Sequence, residues 1–402
     1  MDWLPPFQTA LPHIRTLEDA GFKAFFVGGS IRDSLLGRPV HDVDIATSAK
    51  PEEVKALFKH TVDIGIEHGT VLVLYKGNQY EITTFRTESA YKDYRRPESV
   101  EYVDSLLEDL KRRDFTMNAM AMDKNGKLID PFRGSEAIRM KRIETVGSPE
   151  ERFREDALRM MRAARFTSQL GFGIEPGTKQ AIKRHAPLIR HIAVERITQE
   201  FIKLLEGEHP YEALQLLQET GLLGFLPGLC DREAQLFSVL HPVLNELSEQ
   251  QLWVYLVAAA NPEDANAFLR KWKLPNEKRK AIVRTLSFFR MRAGRKWDPL
   301  MLYDAGEQTA LDAEAVFCAF RRENPAPRIS ALRQAFQKLP VKNRSELAID
   351  GKKLMALFSK KGGPWLKEML REIEKALING EIENQYEAIR RWVLCKYPQE
   401  KK

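Results

Sequence analysis

Two aspartates one residue apart, Asp42 and Asp44, mark a place where phosphate chemistry can begin. On a strand, residues i and i+2 face the same side, so the pair in "HDVDIAT" aims at one point. Two adjacent carboxylates repel unless a cation sits between them, and hard oxygen donors working on phosphates favour Mg²⁺. A pair of such ions, roughly 3.5–4 Å apart, activates an attacking hydroxyl and steadies a leaving pyrophosphate. An isolated Asp-x-Asp is more often a solvated acidic edge; the stretch upstream shifts the weight. "FKAFFVGGSIRDSLLG" runs from an apolar strand through Gly28 and Gly29 into a helical pattern that Ser30 could cap. Glycines at such a turn let backbone approach a ligand closely, and a helix start favours phosphate. Arg32 can add a charge-assisted bond to the same group. A third carboxylate would complete the site. Glu81 in "YEITTF" is the first candidate and Asp114 in "RRDFTMNA" its competitor, and spacing alone does not choose between them.

The elements that must position these residues are short strands and helices. "FKAFFVGG", "VLVLY" and "YEITTF" are aromatic and β-branched, separated by turn residues such as "KGNQ". "SAKPEEVKALFKH" between them reads as a helix with Ser48 as its cap and Val54, Leu57 and Phe58 on one face. This mixed pattern ends near residue 145. Beyond it nearly every segment has helical period, closed by Gly or Pro ("LGFGIEPG", "LPGLC", "KKGGP"). The pattern is therefore an α/β unit followed by an all-helical remainder. At roughly 100–200 residues per domain, 402 residues imply two to four domains. No apolar run approaches the roughly 20 residues of a membrane span, and the first residues, with an early acid and two prolines, do not read as a signal peptide. Cys230, Cys318 and Cys395 lie far apart without metal-ligand spacing, as expected of reduced thiols in a cytoplasmic protein. A formal net charge of +7 favours a polyanionic partner, though only weakly.

The Gly-Gly-x-x-Arg-Asp turn followed by Asp-x-Asp resembles the nucleotidyltransferase superfamily that includes DNA polymerase β. More closely, the chain is similar to the class II tRNA nucleotidyltransferases, the bacterial CCA-adding enzymes. "VGGSIRDSLLGRPVHDVDIAT", "KRRDFTMNAMAMD", "IDPFRG", "RFREDALRMMRAARF" and "HIAVERI" occur in that family's order and spacing. The resemblance covers the whole chain and is most specific up to about residue 200. It implies the class α+β, with a mixed sheet in a catalytic head over 1–148, a base-recognising helical neck over 149–205, a helical body over 206–300 and a tRNA-binding helical tail over 301–402. It implies that Asp42 and Asp44 hold the metal, that Gly28, Gly29, Arg32 and Arg113 hold the nucleotide, and that Asp156 and Arg159 read its base. Arg162 and Arg165 match positions that contact the nucleotide, by its triphosphate. The polar stretch "RTESAYKDYRRPESVEYV" reads as a surface loop, where the family places a flexible element needed to pass from C to A addition.

"EDALRMMRAAR" sets Asp156, Arg159, Arg162 and Arg165 at steps of three, a slanted polar stripe on what reads as one helix. The plainer reading is an Asp156–Arg159 ion pair on a solvated face, worth a few tenths of a kcal/mol. The chemical alternative is sharper. Cytosine and adenine each present an amino donor beside a ring-nitrogen acceptor; a carboxylate beside a guanidinium complements both. Uracil and guanine present the reverse, and a mismatched desolvated polar group costs about 1–3 kcal/mol. One Asp–Arg pair can thus admit CTP and ATP and refuse UTP and GTP without a template. Further on, "LRKWKLPNEKRKAIVRTLSFFRMRAGRKW" alternates Trp272, Phe288, Phe289 and Trp297 with Lys and Arg. It is either a groove that tracks RNA phosphates or amphipathic helices with basic outer faces, and both can hold. The expected reaction is template-independent addition of CCA to the tRNA 3′ end from CTP and ATP, with Mg²⁺. A poly(A) polymerase, or an enzyme adding only CC or only A, shares the head motifs. Whether the protein forms a homodimer is left open.

Overall fold

A computed structural model describes residues 4–65, 69–88, 91–92, 96–97, 100–230 and 232–397. The chain forms two compact units, Met1–Asn245 and Glu246–Lys402.

In the first unit the strands among the described residues are, in chain order, β1 (Ala24–Val27), β2 (Asp44–Thr47), β3 (Thr61–Gly65), β4 (Thr70–Tyr75), β5 (Asn78–Thr84), β6 (Arg86–Glu88), β7 (Tyr91–Lys92), β8 (Arg96–Pro97), β9 (Val100–Tyr102), β10 (Ala121–Met122), β11 (Leu128–Ile129), β12 (Arg142–Ile143) and β13 (Gly173–Ile174). Among the described residues seven of them form one sheet in the order β11-β10-β1-β2-β5-β4-β3. It is antiparallel except at β2–β5, so it is mixed, as expected. Helix Pro5–Asp19 closes one face, with Phe7 edge-on to Phe26 at 5.1 Å. The register is what builds the site. Val27 pairs with Asp44, so the Gly28 turn leaves β1 beside the first residue of β2. Ile45 pairs in parallel with Ile82, which brings Glu81 alongside Asp44.

Four local expectations are corrected. Strand β2 begins at Asp44, so Asp42 precedes the ladder and is exposed. Ser48 does not cap helix Pro51–Leu57; Lys50 is the cap residue, and the Ser48 hydroxyl accepts from the Lys23 amide at 2.9 Å. Ser30 does not cap helix Gly29–Leu35 either; Gly28 occupies that position and the Ser30 hydroxyl donates back to the Val27 carbonyl. The supposed loop after Phe85 contains two short antiparallel pairs, β6 with β9 and β7 with β8. Residues 89, 90, 93–95, 98 and 99 of that stretch lie outside the described ones.

Past the sheet the first unit is mainly helical. Helix Leu158–Leu170 packs on Val194–Leu205 and on Pro210–Glu219. The single helix expected across residues 155–165 is broken at its start: helix Pro149–Glu155 ends before Asp156, whose backbone is extended (φ −135°, ψ 104°). The Asp156 carboxylate accepts from the Leu158 amide at 3.0 Å, capping the next helix. A short Asp side chain offers the backbone this alternative to continued helix.

The second unit is helical among the described residues. Helix Asn276–Gly294 packs on Glu307–Arg321, and both pack on Glu249–Ala260. The aromatics of the basic stretch turn inward: Trp272 is buried against Trp253 at 5.1 Å, and Phe288 belongs to the core. Lys280, Arg284 and Arg290 stay on the outer face of the helix. Among the described residues no helix is long and apolar enough to cross a membrane.

Candidate active site

A cleft of about 880 Å³ lies within the first unit, between the strand ends of the sheet and helix Leu158–Leu170. The sheet side contributes Gly28, Gly29, Asp44 and Glu81, and the helical side contributes Asp156, Arg159, Arg162 and Arg165. Arg32 and Arg113 complete the lining on which the sequence reading dwelt. Asp42 is the one candidate left outside it.

Gly28 adopts φ +77°, a conformation that L side chains rarely accept. A Cβ there would sit 3.2 Å from an Arg113 guanidinium nitrogen and 3.5 Å from an Asp44 carboxylate oxygen. The missing side chain is therefore what lets a cation, an anion and bare backbone meet at one point.

The carboxylates carry a charge problem. Burial, then the neighbouring Glu81 charge, push the Asp44 carboxyl up to about 6; Arg113 opposes this and Asp42 adds to it. A group of acids in this condition is eased by a cation. Among the described residues no three His, Cys, Asp or Glu side chains converge into a self-sufficient metal site. A magnesium-type ion is held by one or two carboxylates together with substrate phosphates and water. Asp114, the competitor for third acid, is otherwise engaged. It accepts from Arg162 Nε at 2.7 Å, from the Asn118 amide nitrogen at 3.1 Å and from the Phe115 backbone amide at 2.8 Å. Burial would raise its carboxyl, but Arg162 and these bonds bring it down to about 2. Its role is to hold Arg162.

Several arginines of the cleft are held by neighbouring carboxylates. Arg32 donates two bonds to Asp33 at 2.9 Å and one to Asn118 at 2.8 Å. Arg112 and Arg113 both bind buried Asp109, at 2.7 and 3.1 Å. Although burial opposes it, these two cations hold the Asp109 carboxyl below its ordinary range. The Arg113 Nε is buried without a hydrogen-bond partner among the described residues. Arg165 pairs with Glu200 at 2.6 Å.

Asp156 and Arg159 do not pair with each other. Asp156 binds Arg196 at 3.0 Å, while Arg159 binds Glu155 at 2.6 Å and donates to the Arg112 carbonyl at 3.0 Å. The break at Asp156 is the reason: it takes the two residues off a common helical face. Arg112, Asn118, Arg196 and Glu200 are cleft residues to which the sequence reading gave no role. The signals were present, since "RRDFTMNA" and "HIAVERI" contain three of them, but nothing local says that they converge.

Models of three families match: the poly(A) polymerase head domain over residues 24–144, the RNA and SrmB-binding site of polymerase A over 171–233, and tRNA nucleotidyltransferase domain 2 over 246–393. The CCA-adding enzyme of Geobacillus stearothermophilus is 50% identical over 396 residues, spanning 97% of each chain. That of Bacillus cereus (strain Q1) is 47% identical over 388 residues, spanning 96% of this chain and 98% of its own. The crystal structure of the Bacillus stearothermophilus CCA-adding enzyme in complex with CTP superposes with a TM-score of 0.86 at 47% identity over 98% of both chains. The Thermotoga maritima enzyme complexed with tRNA, at 20% identity and a TM-score of 0.66, shares the fold.

Proposed function

Since the chain belongs to the CCA-adding tRNA nucleotidyltransferases, we propose how its own residues carry that reaction. The protein adds CCA to the tRNA 3′ end from CTP and ATP, without a template, and releases pyrophosphate. The terminal hydroxyl of the tRNA attacks the nucleotide α-phosphate.

Like its superfamily, the enzyme works with a divalent metal, and the ion is Mg²⁺. Asp44 and Asp42 hold it, with Glu81 as the third acid on the neighbouring strand. When bound, it supplies Lewis acidity at the α-phosphate and lowers the pKa of the attacking hydroxyl. Gly28 and Gly29 admit the triphosphate close to the backbone. Arg32, Arg113, Arg162 and Arg165 face its charge, and their rear carboxylates hold them in place so that little ordering is left for binding.

Asp156 and Arg159 read the base from separate anchors. A carboxylate has about four lone-pair sites. With one oxygen on Arg196 and the other on the Leu158 amide, each Asp156 oxygen can accept once more, from an amino group. Arg159, clamped by Glu155 and the Arg112 carbonyl, donates to the ring nitrogen. Because both side chains are anchored, neither can turn to suit uracil or guanine. The observation that carries this reading is the presence of both residues in the same cleft as Asp44 and Glu81. The division into head 1–148, neck 149–205, body 206–300 and tail 301–402 is kept as a functional proposal, with tRNA held by the helical parts and the protein acting in the cytoplasm.

The test is single-nucleotide incorporation into tRNA with each of the four triphosphates. For Arg159→Ala, preference for CTP and ATP over UTP and GTP falls by roughly 10- to 100-fold, the loss of one buried hydrogen bond. Unchanged selectivity in a folded variant places base choice elsewhere.

A further inference from the structure

Three arginines of the cleft share one aromatic ring. The Phe166 ring centroid lies 4.1 Å from the Arg165 guanidinium carbon, 5.1 Å from that of Arg32 and 5.6 Å from that of Arg162. Arg162 and Phe166 are four residues apart on helix Leu158–Leu170, one above the other. Arg32 comes from helix Gly29–Leu35, on the far side of the sequence. The ring is 3% exposed and is wedged edge-on against Phe115 at 5.8 Å, so it cannot drift. It sits at the cleft wall behind the guanidinium groups and presents almost no surface to a bound molecule.

We propose that Phe166 is a positioning residue for the nucleotide triphosphate: its π face is the common support that fixes the spacing of Arg32, Arg162 and Arg165. Three like charges gathered around one side chain repel. Asp33, Asp114 and Glu200 neutralise them, and Glu200 reaches both Arg165 at 2.6 Å and Arg162 at 3.8 Å, but no one carboxylate meets all three cations. The buried ring does, and it attracts every guanidinium within about 6 Å of its centroid. A leucine would fill the space without attracting any of them. Arginines already held at fixed spacing lose less freedom when a triphosphate arrives. The triphosphate is common to CTP and ATP, so Phe166 acts on both alike and has no part in choosing the base.

The inference rests on the assignment of these arginines to the triphosphate, and the experiment separates the two. Phe166 is replaced in the full chain by mono-, di- and trifluorinated phenylalanine, which keep the ring and withdraw its π charge step by step. Calorimetry without tRNA gives the Kd of CTP, ATP, inorganic tripolyphosphate and cytidine, and thermal unfolding confirms the fold of each protein. The expected result is a stepwise weakening of CTP, ATP and tripolyphosphate by the same factor, reaching about fivefold with three fluorines, while cytidine is unaffected. A flat series overturns the proposal and leaves the ring as packing. Unequal factors for CTP and ATP overturn it as well. If Arg165→Ala leaves tripolyphosphate affinity unchanged, the triphosphate assignment itself has failed, whatever the fluorine series shows.

Discussion

Both units set arginines against buried carboxylates, to different ends. In the first unit Asp109, Asp114 and Glu200 hold arginines whose guanidinium groups line a large cleft. In the second, Glu314 gathers Arg292 at 2.6 Å, the Trp297 indole N–H at 2.8 Å and Arg328 at 3.4 Å. Glu374 does the same for Arg344 at 2.5 Å and Arg371 at 3.3 Å. Both glutamates are buried, and neither lines a cavity of comparable size. Ion pairing therefore does not mark a site by itself. It marks one where the cations are offered to a concavity and where acids such as Asp44 and Glu81 form no ion pair among the described residues.

Removing the acids that await a cation has the largest effect. Asp44→Ala lowers the rate of nucleotide addition about 10³-fold, measured on tRNA lacking CCA, with tRNA affinity retained in a filter-binding assay. Near-native turnover erases the distinction between Asp44 and the buried acids that are paired. Asp42→Ala sharpens the point, because Asp42 stands outside the cleft lining: a comparable loss assigns it to the metal, and a small loss leaves Asp44 and Glu81 as the working pair.

In the second unit the effect falls on stability. Glu314→Ala leaves Arg292 uncompensated and lowers unfolding free energy by about 3–5 kcal/mol in denaturant titrations. The CTP affinity of the folded protein is unchanged. A shift in CTP affinity would show that the two kinds of arginine cluster are not separate.

The smallest effect is on the outer face of helix Asn276–Gly294. Its arginines are not all available: Arg284 donates to the carbonyls of Asp304 and Ala305, and Arg279 to Asn266. Lys280 and Arg290 are exposed. Neutralising both reduces the slope of log affinity for tRNA against log salt by about one unit each. An unchanged slope makes this face solvated surface only.

Much of this was legible in the sequence, for a physical reason. Strand periodicity, the glycine turn and the Asp-x-Asp are local, and the chain reports local features directly. Glu81 against Asp114 was not local. The proposed preference for Glu81 rests on the parallel pairing of Ile45 with Ile82, across more than thirty residues, and on the bond between Asp114 and Arg162. The break at Asp156 was hidden because "EDALRMMRAAR" keeps helical period throughout; the Asp156 carboxylate, by accepting from the Leu158 amide, offers the backbone an alternative to continued helix. The partners of Asp156 and Arg159 were hidden as well. Arg196 lies forty residues beyond Asp156, and only helix packing brings it there. Phe166 carried no signal in the sequence, since no spacing says that three cations will surround it.

Template-independent addition from CTP and ATP ends on a defined three-nucleotide sequence. Sequencing the 3′ ends made from tRNA lacking CCA puts this to the test. CC is expected with CTP alone, CCA and no further growth with CTP and ATP together, and no extension with UTP and GTP. Runs of A, a stop at CC when both nucleotides are present, or extension with UTP or GTP at rates near those of CTP would contradict it.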